Sequence, residues 1–316
     1  MRSYFSAVCL LFITMSQGLV AVQEDTPTVY LGYIVQKAGV SQAPGTITLR
    51  NDFMYHDAKY NKHDTKIKTY ADLLAAEYVT SKKLLGGDYG YGIMIPIKKI
   101  DGRRKYTSRT NTTVNDANGV AQPVVVEYVQ KKQHEDIHGL GDIVITPCIL
   151  GWHWDTLHAR TAVALYTPTG KFSNDKFVNI GRNCWSVDVG GALTWLPKTN
   201  TEISINAGVT ANTTNHKAHY RSGTECHADF LLAQNITPNF ELGIAGFWYQ
   251  QVNGDHGSGA HNGSNKGRLL GIGPLVELSF TLWKVPMNMV FRDYYEIDSR
   301  NIVKGNRFYF TLAAYF

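Results

Sequence analysis

The stretch Arg307-Phe308-Tyr309-Phe310-Thr311-Leu312-Ala313-Ala314-Tyr315-Phe316 decides the fold class. Side chains along a strand point alternately to its two faces. Phe308, Phe310, Leu312, Ala314 and Phe316 therefore share one wholly apolar face. Arg307, Tyr309 and Thr311 share the other, a mixed one. In a soluble sandwich an aromatic edge strand of this kind would invite aggregation. A strand with lipid on one side and a polar lumen on the other requires this pattern.

The same period of two recurs upstream. In 201–211, Ile203, Ile205, Ala207, Val209 and Ala211 oppose Glu202, Ser204, Asn206 and Thr210. In 240–251, Phe240, Leu242, Ile244 and Trp248 oppose Glu241, Tyr249 and Gln251. Twelve strands are expected, near 46–58, 67–79, 88–100, 140–152, 157–168, 182–196, 201–212, 221–235, 240–252, 268–282, 285–298 and 305–316. Their links alternate in character. Trp152 to Leu157, Leu196 to Thr201, Ile236 to Asn239 and Trp283 to Val285 are tight, whereas 101–139, 169–181, 213–220 and 253–267 are longer and polar. Short periplasmic turns and long external loops are the asymmetry of transmembrane barrels. Trp152, Trp154, Trp195 and Trp283 lie near the tight turns, where an interfacial girdle belongs. The expectation is an all-β, antiparallel up-and-down barrel over 46–316, in the outer membrane of a Gram-negative bacterium. An even count returns the last strand to the periplasm, where the barrel-assembly machinery would read Phe308, Phe310, Leu312 and Phe316 as an assembly signal.

Composition agrees. Hydrophobic residues make up 44% of the 316 residues and charged ones 18%, with 29 glycines. Past the leader, no stretch approaches the roughly 20 apolar residues of a membrane helix. Alternation disperses the apolar residues instead. A net charge of +5 is too mild and too scattered to indicate nucleic-acid binding, and no nucleic-acid partner is expected. Arg2 and the apolar run Ala7 to Met15 mark residues 1–21 as a signal peptide, cleaved after Gly18 or Ala21. Residues 22–45 are an N-terminal lead-in or plug; the apolar run Val29 to Val35 also admits an extra strand. The link 101–139 contains the strand-like Pro123 to Val129 and would fold into the lumen or form a hairpin above the barrel. Its basic cluster, Arg103, Arg104 and Lys105, is assigned to a loop. If 24–45 and 101–139 both entered the wall, the count would be fourteen.

A set of ordered motifs adds a resemblance. Gly139-Leu140-Gly141-Asp142 with Pro147, Pro168-Thr169-Gly170-Lys171-Phe172, Asn179-Ile180-Gly181-Arg182-Asn183-Cys184-Trp185, Tyr220-Arg221-Ser222-Gly223, Gly246 to Gln251 with Asp255, and Ile272-Gly273-Pro274 run in sequence. Together with Pro44-Gly45 and the terminal strand, they resemble the outer-membrane proteins named for the meta-pathway of phenol degradation, over roughly 44–316. The resemblance implies a transporter-like or channel-forming barrel, linked in some members to uptake of aromatic or hydrophobic compounds. The long 101–139 and the Gly-, Asn- and His-rich 253–267 depart from that pattern.

Catalytic motifs are weak. His134-Glu135-Asp136-Ile137-His138 matches the H-E-x-x-H zinc pattern, which needs a helix. Val124 to Val129 before it favours strand, and Gly139 and Gly141 would cut a helix short. Ser186 and Ser222 have no marked His partner, and Cys148, Cys184 and Cys226 lack disulfide or metal spacing. No enzyme and no cofactor is expected. By alternation, Arg50, Asp52, Lys68, Asp72, Arg160, Asp188, Glu202, Arg221, Glu225, His227, Asp229, Tyr249, Arg292 and Glu296 should line the lumen. They would either border a polar path or pair with one another. Tyr249, Tyr294 and Tyr309 could stack on a flat solute. The expected role is passive uptake of small molecules, aromatic or hydrophobic ones among them. The alternative is a non-conducting structural barrel whose loops bind partners. Outer-membrane lipid, the assembly machinery and a small solute are the expected partners, with oligomeric state left open.

Overall fold

Alternation of lipid-facing and inward residues gives the wall its strands. The computed structural model describes residues 26–60, 64–115, 121–260 and 265–316; the expected leader, 1–21, lies outside them. The strands are β1 (Ile47–Tyr60), β2 (Thr65–Leu84), β3 (Gly87–Asn115), β4 (Ala121–Leu140), β5 (Val144–His153), β6 (Leu157–Tyr166) and β7 (Ser186–Trp195). They continue as β8 (Thr201–Asn212), β9 (Glu225–Thr237), β10 (Phe240–Gln251), β11 (Arg268–Leu282), β12 (Val285–Arg300) and β13 (Lys304–Tyr315). Antiparallel pairing runs β1-β2-β3-β5 and onward to β13, which pairs back on β1 with Asp52 opposite Thr311 and Phe53 opposite Phe310. The ring is the expected closed barrel of twelve strands, and closure leaves no wall edge unpaired.

The thirteenth strand is β4. It shares one edge of β3 with β5: Ile97 faces Leu140, and three residues earlier Met94 faces Val144. β4 and β5 are thus two lengths of one descending course, interrupted at 141–143. The segment 101–139 is accordingly no lumen loop. It is mostly the outer part of the β3–β4 hairpin, and Arg103, Arg104 and Lys105 sit on β3 instead of a loop. The ladder continues past the barrel rim because each strand supplies the other's backbone partners.

The lipid face is apolar and aromatic at its margins. Ile93, Ile97, Val189, Ile205, Ile244 and Phe291 are exposed outward. Tyr55 and Tyr70 stack at 5.0 Å near the long-loop end, and Tyr78 and Tyr91 meet edge-to-face at 5.8 Å near the tight-turn end. Trp154, Trp195 and Trp283 are exposed at the tight-turn rim. On β13, Phe308, Phe310 and Leu312 face outward between buried Arg307, Tyr309 and Thr311, and Phe316 is exposed.

Three sequence expectations about the inner face fail. On β2 the buried positions are Thr65, Ile67, Ala71, Leu73 and Val79, with Leu73 opposite inward Asp52, so Lys68 and Asp72 point outward. Lys68 reaches Asp57 at 3.8 Å near the external rim, and Asp72 accepts from the Asn51 amide at 3.3 Å. Lys68 stands close to the interface, where charge on the outer face costs little, and Asp72, opposite Phe53, is answered by the Asn51 amide. Arg221 lies before β9, in the loop, where its Nε donates to the Asn212 carbonyl at 2.9 Å.

Residues 26–45 carry no strand and run through the ring. Val29, Leu31 and Val35 are buried there against Phe247, Leu269, Leu275 and Val290. The barrel's core is therefore formed between this inner segment and the wall.

Candidate functional site

Every non-proline residue of an irregular inner segment brings a backbone donor and acceptor that must find partners away from water. The wall supplies them with charged side chains. Glu225 accepts from Thr28 N at 2.9 Å, and Asp229 from Gly32 N at 2.9 Å. Glu202 accepts from Lys37 N, and Thr194 Oγ1 from Gly39 N at 2.9 Å. Arg292 donates to the carbonyls of Gly32 and Tyr33, each at 2.9 Å. Tyr309 and Arg307 donate to Leu31 O at 3.0 and 3.3 Å. Lys37 Nζ ends on Glu277 at 2.9 Å. Burial pulls the Lys37 ammonium down, but Glu277, Glu202 and Glu241 outweigh it and hold the ammonium above its ordinary value. Gly32 is required here: its φ is +74°, and a Cβ would stand 2.6 Å from the Tyr294 ring.

The wall charges also pair among themselves. Asp52 binds Arg50 at 2.6 Å and Arg292 at 2.9 Å. Glu296 binds Arg307 at 3.0 Å and His56 at 3.1 Å, and Asp188 binds His227 at 2.9 Å. Arg160 of β6 reaches Glu77 of β2 at 2.6 Å across the lumen. The pairing alternative thus describes this interior well. Glu202, Glu225 and Arg292 hold the inner segment, and Tyr249 is buried beside it. Arg50, Arg160, Asp188, His227 and Asp229 border open space.

Most of the segment's polar bonds go to β7–β13. Among the spaces beside the segment are three cavities of about 160, 170 and 160 Å³, lined by β1–β6 together with residues of the opposite wall such as Asp188, His227 and Ala313. The outermost is bordered by His56, Lys98, Asp142, Arg182 and Arg307. It meets the middle cavity at Val29, Tyr30 and Tyr166, which line both. The middle one meets the innermost at Tyr33, Ala75, Glu77 and Arg160. Lys98 stands over the Tyr30 ring at 5.1 Å and Arg50 over Tyr33 at 4.3 Å.

The outer mouth is narrowed by the loop 167–185. Asp142 clamps it, accepting from Gly170 N at 2.9 Å and Arg182 N at 2.7 Å. Gly170 and Gly181 touch back-to-back: a Cβ on either would lie 2.5–2.6 Å from the other's backbone. Phe177, Val178 and Ile180 then pack on Ala58, Ile67, Ile100 and Val303. Glu135 of β4 accepts from Phe177 N at 3.1 Å and Val178 N at 3.3 Å, and Arg104 lies 4.7 Å over the Phe177 ring. The H-E-x-x-H residues therefore sit on a strand, with Glu135 buried and His134 and His138 off its face. Strand residues four apart are separated by roughly 13 Å, too far to share one metal.

Alternation alone could not find Tyr30, Tyr33, Lys98 and Tyr166 as cavity-lining residues. Two belong to a segment without periodicity, and the others become distinctive only opposite that segment.

A closed antiparallel ring with an apolar exterior and a charged, partly open interior defines a Gram-negative outer-membrane β-barrel. Residues 41–312 match the model of the family described as "Putative MetA-pathway of phenol degradation", and the chain belongs to that family. An outer membrane channel from Pseudomonas putida F1 has a similar fold, with a TM-score of 0.66 at 15% identity, covering 89% of this chain and 98% of that one. A Pseudomonas aeruginosa FadL homologue aligns with a TM-score of 0.43 at 9% identity, covering 91% of this chain and 98% of its own. The transport unit of the Escherichia coli autotransporter AIDA-I gives 0.45 at 10% identity, covering 90% and 95%. No curated protein matches the chain in sequence.

Proposed function

We propose that the chain passes small molecules across the outer membrane by diffusion along the inner segment's open side. The adjacency of the three cavities carries this reading: Tyr30 and Tyr166 border the first and second, Tyr33 and Arg160 the second and third. The waists are walled by tyrosine rings and apolar side chains, with charge held in ion pairs beside them. Flat, largely apolar solutes, aromatic ones included, suit such walls. The Pseudomonas putida channel's likeness in fold accords with a transporter-like barrel. In this reading residues 26–45 act as a plug that sets the bore. The test is solute-driven swelling of liposomes and conductance in planar bilayers, for the full chain and for a variant lacking 26–42. The full chain should show a small flux and the deletion a much larger one. Sealed barrels in both would overturn the proposal.

One observation favours a second reading, a surface role. β3 passes the end of β2 at the Lys66–Arg103 pair, and its residues 104–115 reach roughly 40 Å further. Removing 106–130 should leave flux intact if the hairpin serves a partner, and change it if the hairpin serves the path.

A further inference from the structure

The outer faces of β13, β1, β2, β3 and β4 carry basic side chains at one height, four of them cations. Lys304 faces Lys59, Lys59 faces Lys66, Lys66 faces Arg103, and Arg103 faces His134. All five side chains are exposed. Two residues further out, Lys105 faces Lys132 in the same sense. Like charges directly opposite on neighbouring strands repel, and an in-register run of them weakens the sheet unless an anion lies between. Carboxylates answer part of this charge: Asp57 to Lys68 at 3.8 Å, Asp101 to Arg103 at 3.2 Å, Asp136 to Lys99 at 3.1 Å and Asp64 to Lys105 at 2.7 Å. Lys304 Nζ donates to the Ile297 carbonyl at 2.9 Å. Among the described residues, Lys59, Lys66 and Lys304 make no ion pair within 4.0 Å; the Asp64 carboxylate, bound to Lys105, also feels Lys66 and Lys59 at longer range.

Height identifies the anion. The stacked Tyr55 and Tyr70 lie four residues below Lys59 and four beyond Lys66. Four residues rise roughly 13 Å along a strand, and a tilt of about 40° leaves roughly 10 Å along the membrane normal. An interfacial tyrosine belt marks the edge of the hydrocarbon. The lysine row thus stands at the depth of the headgroups. This is the long-loop end, so the leaflet is the outer one. Elsewhere on the same rim Trp185, Val187 and Trp248 are exposed, and Arg268 faces Arg300, with Arg268 held by Asp298 at 2.9 Å. The unbroken in-register row runs over β13, β1, β2, β3 and β4.

We propose that this sector binds the phosphorylated headgroup of the outer-leaflet glycolipid, with phosphate oxygens between Lys59, Lys66 and Lys304. The ammonium groups serve as donors at the surface and the acyl chains lie along Phe53, Phe308 and Phe310 below. A merely solvated collar would show no preference for a phosphate at that depth.

Native mass spectrometry of the full chain in detergent, titrated with bis-phosphorylated lipid A, tests the assignment. The wild type should retain one lipid A. The triple variant Lys59→Gln/Lys66→Gln/Lys304→Gln should bind about a hundredfold more weakly, at about fivefold per basic side chain near an anionic surface. The corresponding triple Lys→Arg variant should recover most of the loss. Dephosphorylated lipid A offered to the wild type should be lost as well, an arm that needs no folded variant. Equal retention of lipid A by the Gln variant, equal retention of the dephosphorylated form, or equal retention of phosphatidylglycerol would each overturn the proposal. The flux of the wild type does not enter this readout.

Discussion

Arg292 on β12 donates to the carbonyl of Gly32 at 2.9 Å, across 260 residues of sequence. The same guanidinium binds Asp52, and both side chains are fully buried. Replacing Arg292 with Met removes one of two donors from each of two inner-segment carbonyls, leaving Gly32 O to Tyr294 and Tyr33 O to Arg50, and leaves Asp52 with Arg50 and the Thr311 hydroxyl. Breaking a buried pair of this kind costs about 3 kcal/mol. The temperature at which the barrel unfolds on heated gels should fall, and single-channel current should rise as the segment loosens. Unchanged current would show that other contacts suffice to hold it.

Tyr30 borders both the outer and the middle cavity. Tyr30→Ala should speed liposome swelling by solutes near the size limit several-fold, with small solutes little affected. Tyr166→Trp should have the opposite effect. A pair of variants that shifts neither limit would place the route elsewhere.

Gly170 and Gly181 leave no room for a Cβ at their contact. Gly181→Val should force the loop 167–185 off the mouth, at about 1–3 kcal/mol for overpacking. Protease added to cells should then cut the loop, and the wild type should resist.

Burial pushes the Asp255 carboxyl up, against the opposing pull of donors on Gln251 and Gly223. A carboxyl raised in the folded state binds its proton more tightly there than when unfolded. Its charge therefore burdens the fold above its folded pKa, and acid relieves that burden. Asp255→Asn keeps an acceptor without the charge. It should raise the unfolding temperature at neutral pH and show no gain at pH values below the ordinary carboxylate range. A gain that persisted in acid would assign the effect to another cause.

Phe316 is exposed just beyond β13, whose outward residues Phe308, Phe310 and Leu312 lead to it. If these residues are what the assembly machinery reads, Phe316→Ser should lower the amount of heat-modifiable barrel in the outer membrane. Detergent refolding of the purified chain should be unaffected. A parallel loss in refolding would mark the residue as structural only.

The barrel, its twelve-strand ring, and most inward charges were legible because strand alternation is local. Each residue of 307–316 declares its face by its neighbours two positions away, and the turn pattern follows from short links. Charge alone does not place Lys68 and Asp72 inward: Lys68 stands near the interface beside Asp57, and Asp72 takes the Asn51 amide on the outer face. The role of 26–45 was left open, since a segment without periodicity has no local signature. Its position comes from bonds such as Thr28 to Glu225 and Gly32 to Asp229, each spanning 197 residues. The same holds for the path, whose waists join Tyr30 to Tyr166 and Tyr33 to Arg160. Sequence alone determined which face each strand turns to the lipid. Only the tertiary structure decided what fills the interior, because the contacts that fill it join residues far apart along the chain.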